Sequence, residues 1–162
     1  MKIYVTGLGV VSGIGLGVEE NIASLRNHQH GMGKVTLFPT ELDVPVSEVK
    51  YSNEELKRLL SLDIQKTFSR TALLGMSAAK EAIDDARLDA ASLRTGFISS
   101  TSVGGMDLSE HFYASFKKDN RKGRLREVIS HDCGASTELI ADYLKVNDFV
   151  TTISTACSSA AN

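Results

Sequence analysis

Thr151-Thr152-Ile153-Ser154-Thr155-Ala156-Cys157-Ser158-Ser159-Ala160-Ala161 is the stretch on which the fold turns. Its β-branched opening favours a strand. The small residues that follow permit a tight turn and close approach by other segments, and Ala and Ser can open a helix. Cys157 therefore stands where a strand becomes a helix, the geometry of a nucleophile elbow. A thiol at a helix N-terminus feels the positive end of the helix dipole, which favours the thiolate. Only five residues follow Cys157, so the helix that would supply this dipole has barely begun.

Working back along the chain, two further strands precede this one. Residues 2–6 (Lys-Ile-Tyr-Val-Thr) read as a first strand, cut off by Gly7 and Gly9. Residues 95–101, around Gly96-Phe97-Ile98, read as a second, ended by the turn Val103-Gly104-Gly105. The third runs from Phe149 to Ser154. Helices are expected between them, at residues 19–26, from Ser52 onward, at 64–86, 106–116 and 135–144. Ser52 and Glu55 have capping-box spacing. In the long helix Phe68, Ala72, Met76, Ala79, Ile83 and Ala86 step by three or four, marking one buried stripe. Its small residues, with Gly75, imply close packing against a sheet or another helix. Residues 27–50 have no clean period and read as loop with one short strand at most. The alternation of strands and helices argues an α/β fold with about three mainly parallel strands and flanking helices.

Composition narrows the function classes. The length of 162 residues suits one domain, and 42% hydrophobic with 23% charged residues is ordinary for a globular chain. A net charge of −2 gives no whole-chain case for nucleic acid or membrane partners. No apolar run reaches the ~18–20 residues of a membrane helix, and the N-terminus lacks a signal-peptide core. The two cysteines, Cys133 and Cys157, give neither a disulfide framework nor zinc-site spacing, so a cytoplasmic chain without metal or cofactor is expected.

Four constellations carry chemistry or imitate it. Gly7-Leu8-Gly9-Val10-Val11-Ser12 imitates a dinucleotide fingerprint, but Ser12 stands at the third glycine and no acidic residue ends a second strand downstream. A structural turn is the better reading. His131-Asp132-Cys133 reads as a helix N-terminus capped by Asp132 or Ser136 rather than as a metal cluster. The histidines at 28, 30, 111 and 131 are not placed by sequence to meet Cys157. Lys117, Lys118, Arg121, Lys122, Arg124 and Arg126 form the one basic cluster, a solvated loop or a docking patch for an acidic partner. Sparse aromatic interleaving argues against single-stranded nucleic acid.

Taken in order, Val5-Thr6-Gly7-Leu8-Gly9-Val10-Val11-Ser12, Ser69-Arg70-Thr71-Ala72-Leu73-Leu74-Gly75, Ser102-Val103-Gly104-Gly105 and Ser154-Thr155-Ala156-Cys157-Ser158-Ser159 resemble the N-terminal part of a β-ketoacyl-(acyl-carrier-protein) synthase of the KAS I/II type. The resemblance covers essentially all of residues 1–162. It implies a thiolase-like fold, whose complete form has two similar α/β halves, and hence an incomplete N-terminal half here. It implies decarboxylative Claisen condensation: Cys157 takes an acyl group from a carrier protein, and malonyl-carrier protein loses CO₂ to give the attacking carbanion. Val103 falls on the turn that helps line the family's acyl pocket. Lys57, Arg58, Lys66 and Arg70 lie near the region where its acyl carrier protein docks. The strand from Phe149 to Ser154 would be a homodimer contact.

Members of that family are much longer. Their catalytic histidines, a lysine and the second oxyanion donor lie in a C-terminal half, so residues 1–162 alone are expected not to condense acyl groups. The first strand, lacking its neighbour, is expected at an uncovered edge that invites association. The alternatives are an inert structural fragment with a buried, unreactive cysteine and a non-catalytic partner subunit of the chain-length-factor type. Such subunits typically lack the cysteine, and Cys157 argues against the latter.

Overall fold

Phe149–Ile153 and Gly96–Ser100 bear out the second and third expected strands. They lie side by side, parallel and in continuous register from Gly96 opposite Phe149 to Ser100 opposite Ile153. The structure, a computed structural model, describes residues 2–162. Its elements run β1 (Val11–Ser12), β2 (Gly15–Leu16), α1 (Val18–Arg26), β3 (Met32–Gly33), β4 (Val46–Ser47), α2 (Asn53–Leu59) and α3 (Arg70–Ala86). They continue with β5 (Gly96–Ser100), α4 (Met106–Lys118), α5 (Arg126–Ile129), α6 (Cys133–Leu144), β6 (Phe149–Ile153) and a 3₁₀ turn, Ala156–Ala161. They fall into two units, one of residues up to Leu62 with Ser77–Leu88, the other of Asp63–Met76 with Asp89–Asn162.

In the first unit the expected first strand does not form. Residues 2–6 join no ladder, and Ile3, Tyr4 and Val5 are 72–83% exposed. A strand exists only where a neighbour accepts and donates its backbone hydrogen bonds. Here carboxylates on α3 take part of that role. Asp85 Oδ2 accepts from Leu8 N at 3.0 Å. Glu81 accepts from Val10 N at 2.9 Å through one oxygen and from Val18 N at 2.6 Å through the other. The ladder that does form is a small antiparallel one, Val11 opposite Leu16 and Ser12 opposite Gly15. The glycines before it are there for close approach, as the structural-turn reading expects. A Cβ on Gly7 would strike the carbonyl oxygen of Ala82, and one on Gly9 that of Ala78. The alanines of α3 thus receive the backbone of residues 7–9.

Residues 27–50 carry a second short antiparallel pair, Met32 opposite Ser47 and Gly33 opposite Val46. A single carboxylate holds the excursion in shape. Glu48 accepts from Thr36 Oγ1 (2.6 Å), Thr36 N (3.0 Å) and Leu37 N (3.0 Å), and pairs with Lys50 Nζ at 3.0 Å. The Thr36 hydroxyl foremost, then Lys50 and the two amides, bring its pKa from the usual 4.5 to about 2. A carboxyl whose folded pKa is depressed favours the folded loop where it is ionised. That contribution is complete above about pH 4.5 and is lost as pH falls toward about 2. Protection of the Thr36 and Leu37 amides, taken as exchange relative to the intrinsic rate at each pH, is therefore expected to fall across that window, and Glu48→Gln should lower it likewise at neutral pH. Protection of these two amides unchanged by either treatment would show that other contacts hold the loop.

α2 begins with the expected capping box: Glu55 N donates to Ser52 Oγ at 3.3 Å, and Ser52 N donates to Glu55 Oε2 at 2.7 Å. α3 starts six residues later than its apolar spacing suggests. Asp63 folds residues 63–66 into a turn, accepting from Gln65 N through its side chain and from Lys66 N through its carbonyl. Ser69 then caps the helix by accepting from Ala72 N at 3.2 Å.

In the second unit Ala72, Leu73 and Met76 of α3 are buried, as are Leu108 on α4 and Ile140 and Ala141 on α6. Gly75 lets α3 and α6 approach closely, since a Cβ there would meet Ile140 Cδ1 at 2.5 Å. Farther along the stripe Ala79, Ile83 and Ala86 are only half-buried. On the sheet Phe149 is 56% and Ile98 60% exposed.

Candidate active site

The parallel pairing of β5 and β6 brings their C-terminal ends together, and Thr101 N continues the ladder by donating to Ile153 O at 3.2 Å. In parallel α/β sheets the turns leaving these ends are where ligands bind. Two turns leave here, 101–105 and 154–156. Ser102 Oγ on the first donates to Ala156 O on the second at 2.8 Å. The first turn is tied by Thr101 Oγ1, which accepts from Gly104 N at 3.3 Å and Val103 N at 3.4 Å. Its two glycines are required by packing. A Cβ on Gly104, whose φ is +50°, would meet the backbone of Cys133, and one on Gly105 the carbonyl of Ser130.

The second turn is fixed by serines. Ser159 is buried; its hydroxyl accepts from Thr155 N at 2.9 Å and donates to Ala156 O at 2.7 Å. Ser158 Oγ donates to Thr155 O at 2.9 Å. Ala156 has a φ of +52°, a conformation that L-residues other than Asn, Asp and His adopt rarely. This strain, immediately before Cys157, is what a sharp strand-to-helix elbow needs. Cys157 follows as an exposed free thiol, with no hydrogen-bond partner among the described residues.

The helix expected after Cys157 is instead a six-residue 3₁₀ turn. The Ser158 and Ser159 hydroxyls bond back to carbonyls three residues earlier, in competition with the α-helical pattern. So short a turn aligns few peptide dipoles, and the site is built here by strain and exposure rather than by a macrodipole.

The second unit places Val103, 51% exposed, on the turn bonded to the one that carries Cys157. Cys133 also reaches this place: it opens α6, capped by Asp132 through Gly134 N at 2.7 Å, and its Sγ lies 3.5 Å from Ser154 Oγ. The Asp132 cap bears out the helix reading of residues 131–133. His131 is bonded to Ser109 Oγ on α4 at 2.9 Å, and His111 is exposed on the same helix. His28 and His30 belong to the first unit. Arg58 pairs with Glu54 at 3.4 Å, and the backbone N of Arg70 donates to Asp107 Oδ2 at 2.8 Å. Ser102 and Ser159, which fix the carbonyl before Cys157, were missed by the sequence reading. The paired serines of the motif hinted at the second, and nothing local points to the first.

A family model for the N-terminal domain of β-ketoacyl synthases matches residues 1–162. The chain belongs to the β-ketoacyl synthase family. Among solved structures it is similar to the ishigamide ketosynthase/chain length factor, at 26% identity and a TM-score of 0.79 over 94% of this chain. It is also similar to the AntDE:AntF complex, a type II PKS acyl-carrier protein with its ketosynthase bound to the hexaketide. That match has 21% identity and a TM-score of 0.73 over 96% of the chain. The chain spans 40% and 38% of those two proteins' chains. No curated protein matches it. The thiolase-like α/β reading stands on these matches, as an incomplete half of the family's fold. No helix among the described residues is long and apolar enough to cross a membrane.

Proposed function

We propose that this β-ketoacyl synthase chain is the N-terminal portion of a cytoplasmic 3-oxoacyl-carrier-protein synthase, with Cys157 as its acyl-accepting nucleophile. The observation that carries this reading is an exposed thiol on a strained turn at the C-terminal ends of two parallel strands. In the reaction, the Cys157 thiolate attacks the carbonyl of an acyl-carrier thioester, and the carrier departs as a thiolate that takes up from solvent the proton Cys157 gave up on ionising. Malonyl-carrier protein then releases CO₂; the resulting carbanion attacks the Cys157 thioester and expels the thiolate. A thiolate suits both half-reactions, being a strong nucleophile and a good leaving group. Val103, beside this turn, lines the start of the acyl pocket. By the same resemblance, Lys66 and Arg70 of the second unit and, taken separately, Lys57 and Arg58 of the first supply positive charge for an acidic carrier protein.

Direct thiol labelling tests the site. Iodoacetamide is expected to modify Cys157 well before Cys133, because Cys157 is exposed whereas Cys133 is half-buried. Peptide mass mapping over a time course reads the order, and equal rates or prior reaction of Cys133 would remove the basis of the proposal. Residues 1–162 alone are expected to yield no 3-oxoacyl product from acyl- and malonyl-carrier protein, since the family's acid-base groups lie in its C-terminal half.

The resemblance also assigns a homodimer contact to the strand from Phe149 to Ser154. In support, β6 pairs with β5 alone among the described residues, and Phe149 and Val150 are 56% and 37% exposed. Sedimentation is expected to show a dimer or larger species, and Val150→Lys should shift it toward monomer. A well-behaved monomer at the outset would count against this contact.

A further inference from the structure

We propose that His28 and His30 form a two-imidazole site for a divalent transition cation of the Ni²⁺ or Zn²⁺ type. Both histidines line one polar cavity of about 450 Å³, together with Gly13, Ile14, Ser24 and Gln29. Neither imidazole has a hydrogen-bond or ion-pair partner among the described residues. Two exposed, ligand-competent side chains therefore line one concavity, neither tied to another group.

The backbone makes this convergence costly. α1 ends in a Schellman motif: His28 N donates to Leu25 O at 3.1 Å and Gln29 N to Ser24 O at 2.9 Å. His28 occupies its left-handed position, with a φ of +53°. That position ordinarily takes glycine, which adopts the conformation without the Cβ penalty. His28, at this position, and His30, two residues on, both line the cavity.

The charge environment selects a cation over an anion. The cavity is lined by Ser24, His28 and Gln29 at the C-terminal end of α1, the negative end of its dipole. Arg26 is in that last turn but does not line the cavity. The Gln29 carboxamide oxygen, 3.4 Å from Ser24 Oγ, adds an oxygen donor to the rim. Imidazole nitrogen suits Zn²⁺, Ni²⁺ and Cu²⁺, whereas Mg²⁺ demands hard oxygen ligands. No third His, Cys, Asp or Glu joins the pair among the described residues, so water or a ligand would complete the coordination and the ion would exchange readily.

Titration of the full chain with Ni²⁺, followed by the imidazole resonances in NMR, tests the site. Saturable broadening of His28 and His30, sparing His111 and His131, is expected at or below roughly 1 mM. Mg²⁺ at the same concentration should leave all four unchanged. His28→Gly and His30→Ser should each weaken Ni²⁺ binding about tenfold or more. His28→Gly restores the residue the motif prefers, so lost binding there cannot be ascribed to unfolding. No broadening in that range, equal broadening by Mg²⁺, or undiminished binding by the double variant would each overturn the proposal.

Discussion

Cys157→Ser is expected to lower condensation by the complete enzyme ~10³-fold or more, with no acyl adduct detectable on the chain by intact mass. Serine keeps the shape of the turn and loses the chemistry. Its hydroxyl ionises far above neutral pH and needs a base, and no histidine of the second unit is bonded to this position. Cys157 is exposed, so the exchange of sulfur for oxygen should change stability by no more than about 0.5 kcal/mol. Two readouts are needed. Transacylation, followed as adduct mass, reports the first half-reaction; 3-oxoacyl product reports both. Loss of both with an unchanged melting temperature is the expected result. A variant that still accumulates acyl adduct would move the nucleophile to another residue, with Cys133 the first to suspect because its sulfur also reaches this turn.

The parts of the fold that sequence reveals are those settled within a few residues of chain. The Ser52–Glu55 capping box and the Asp132 cap are of this kind, because a cap is a bond between side chain and backbone two or three residues apart. The Ser154–Cys157 elbow is legible for the same reason. Failure sets in with distance. The spacing of residues 2–6 is strand-like, but a strand is defined by its partner, and the amides that follow are claimed by Asp85 and Glu81 more than 70 residues away. Nothing in the alternation of apolar residues announces that two carboxylates one helical turn apart on α3 will face that backbone. The late start of α3 is a different failure. Its apolar period extends through Ile64, while the local turn at Asp63 and the cap at Ser69 override the period. Both signals were present in the sequence and lost to the longer pattern.

The candidate site divides in the same manner. Cys157 could be read from its motif, and Val103 was placed by resemblance. The link between their turns is a bond between Ser102 and Ala156, 54 residues apart. It exists because two parallel strands end in register. The strain at Ala156 was likewise invisible, since alanine gives no hint of a left-handed backbone.

Gly104→Ala is expected to cost about 3 kcal/mol and to shift the turn of Val103 relative to the one that carries Cys157. Two effects add. The φ of +50° places an L-residue in the left-handed region, at about 1 kcal/mol. The new Cβ would also lie 2.8 Å from Cys133 Cα and 2.9 Å from Cys133 N, both backbone atoms at the first turn of α6. A backbone contact cannot be relieved by changing a rotamer, so either α6 or the 101–105 turn must shift. Shifting the turn stretches the 2.8 Å bond from Ser102 Oγ to Ala156 O and loosens the residue before Cys157. For a chain of this size the melting temperature should fall by roughly 10 °C. Gly104→Asn separates the two effects, because asparagine tolerates the left-handed conformation but still carries a Cβ. It should remain nearly as destabilised as the alanine variant if the clash dominates. Gly33→Ala is the matching control: no atom lies within 4 Å of the position a Cβ would take and its φ is unexceptional, so a change within about 0.5 kcal/mol is expected. A Gly104→Ala variant that melts with the wild type would mean that α6 yields at its first turn, and that Val103 and Cys157 are not held together by the packing of this glycine.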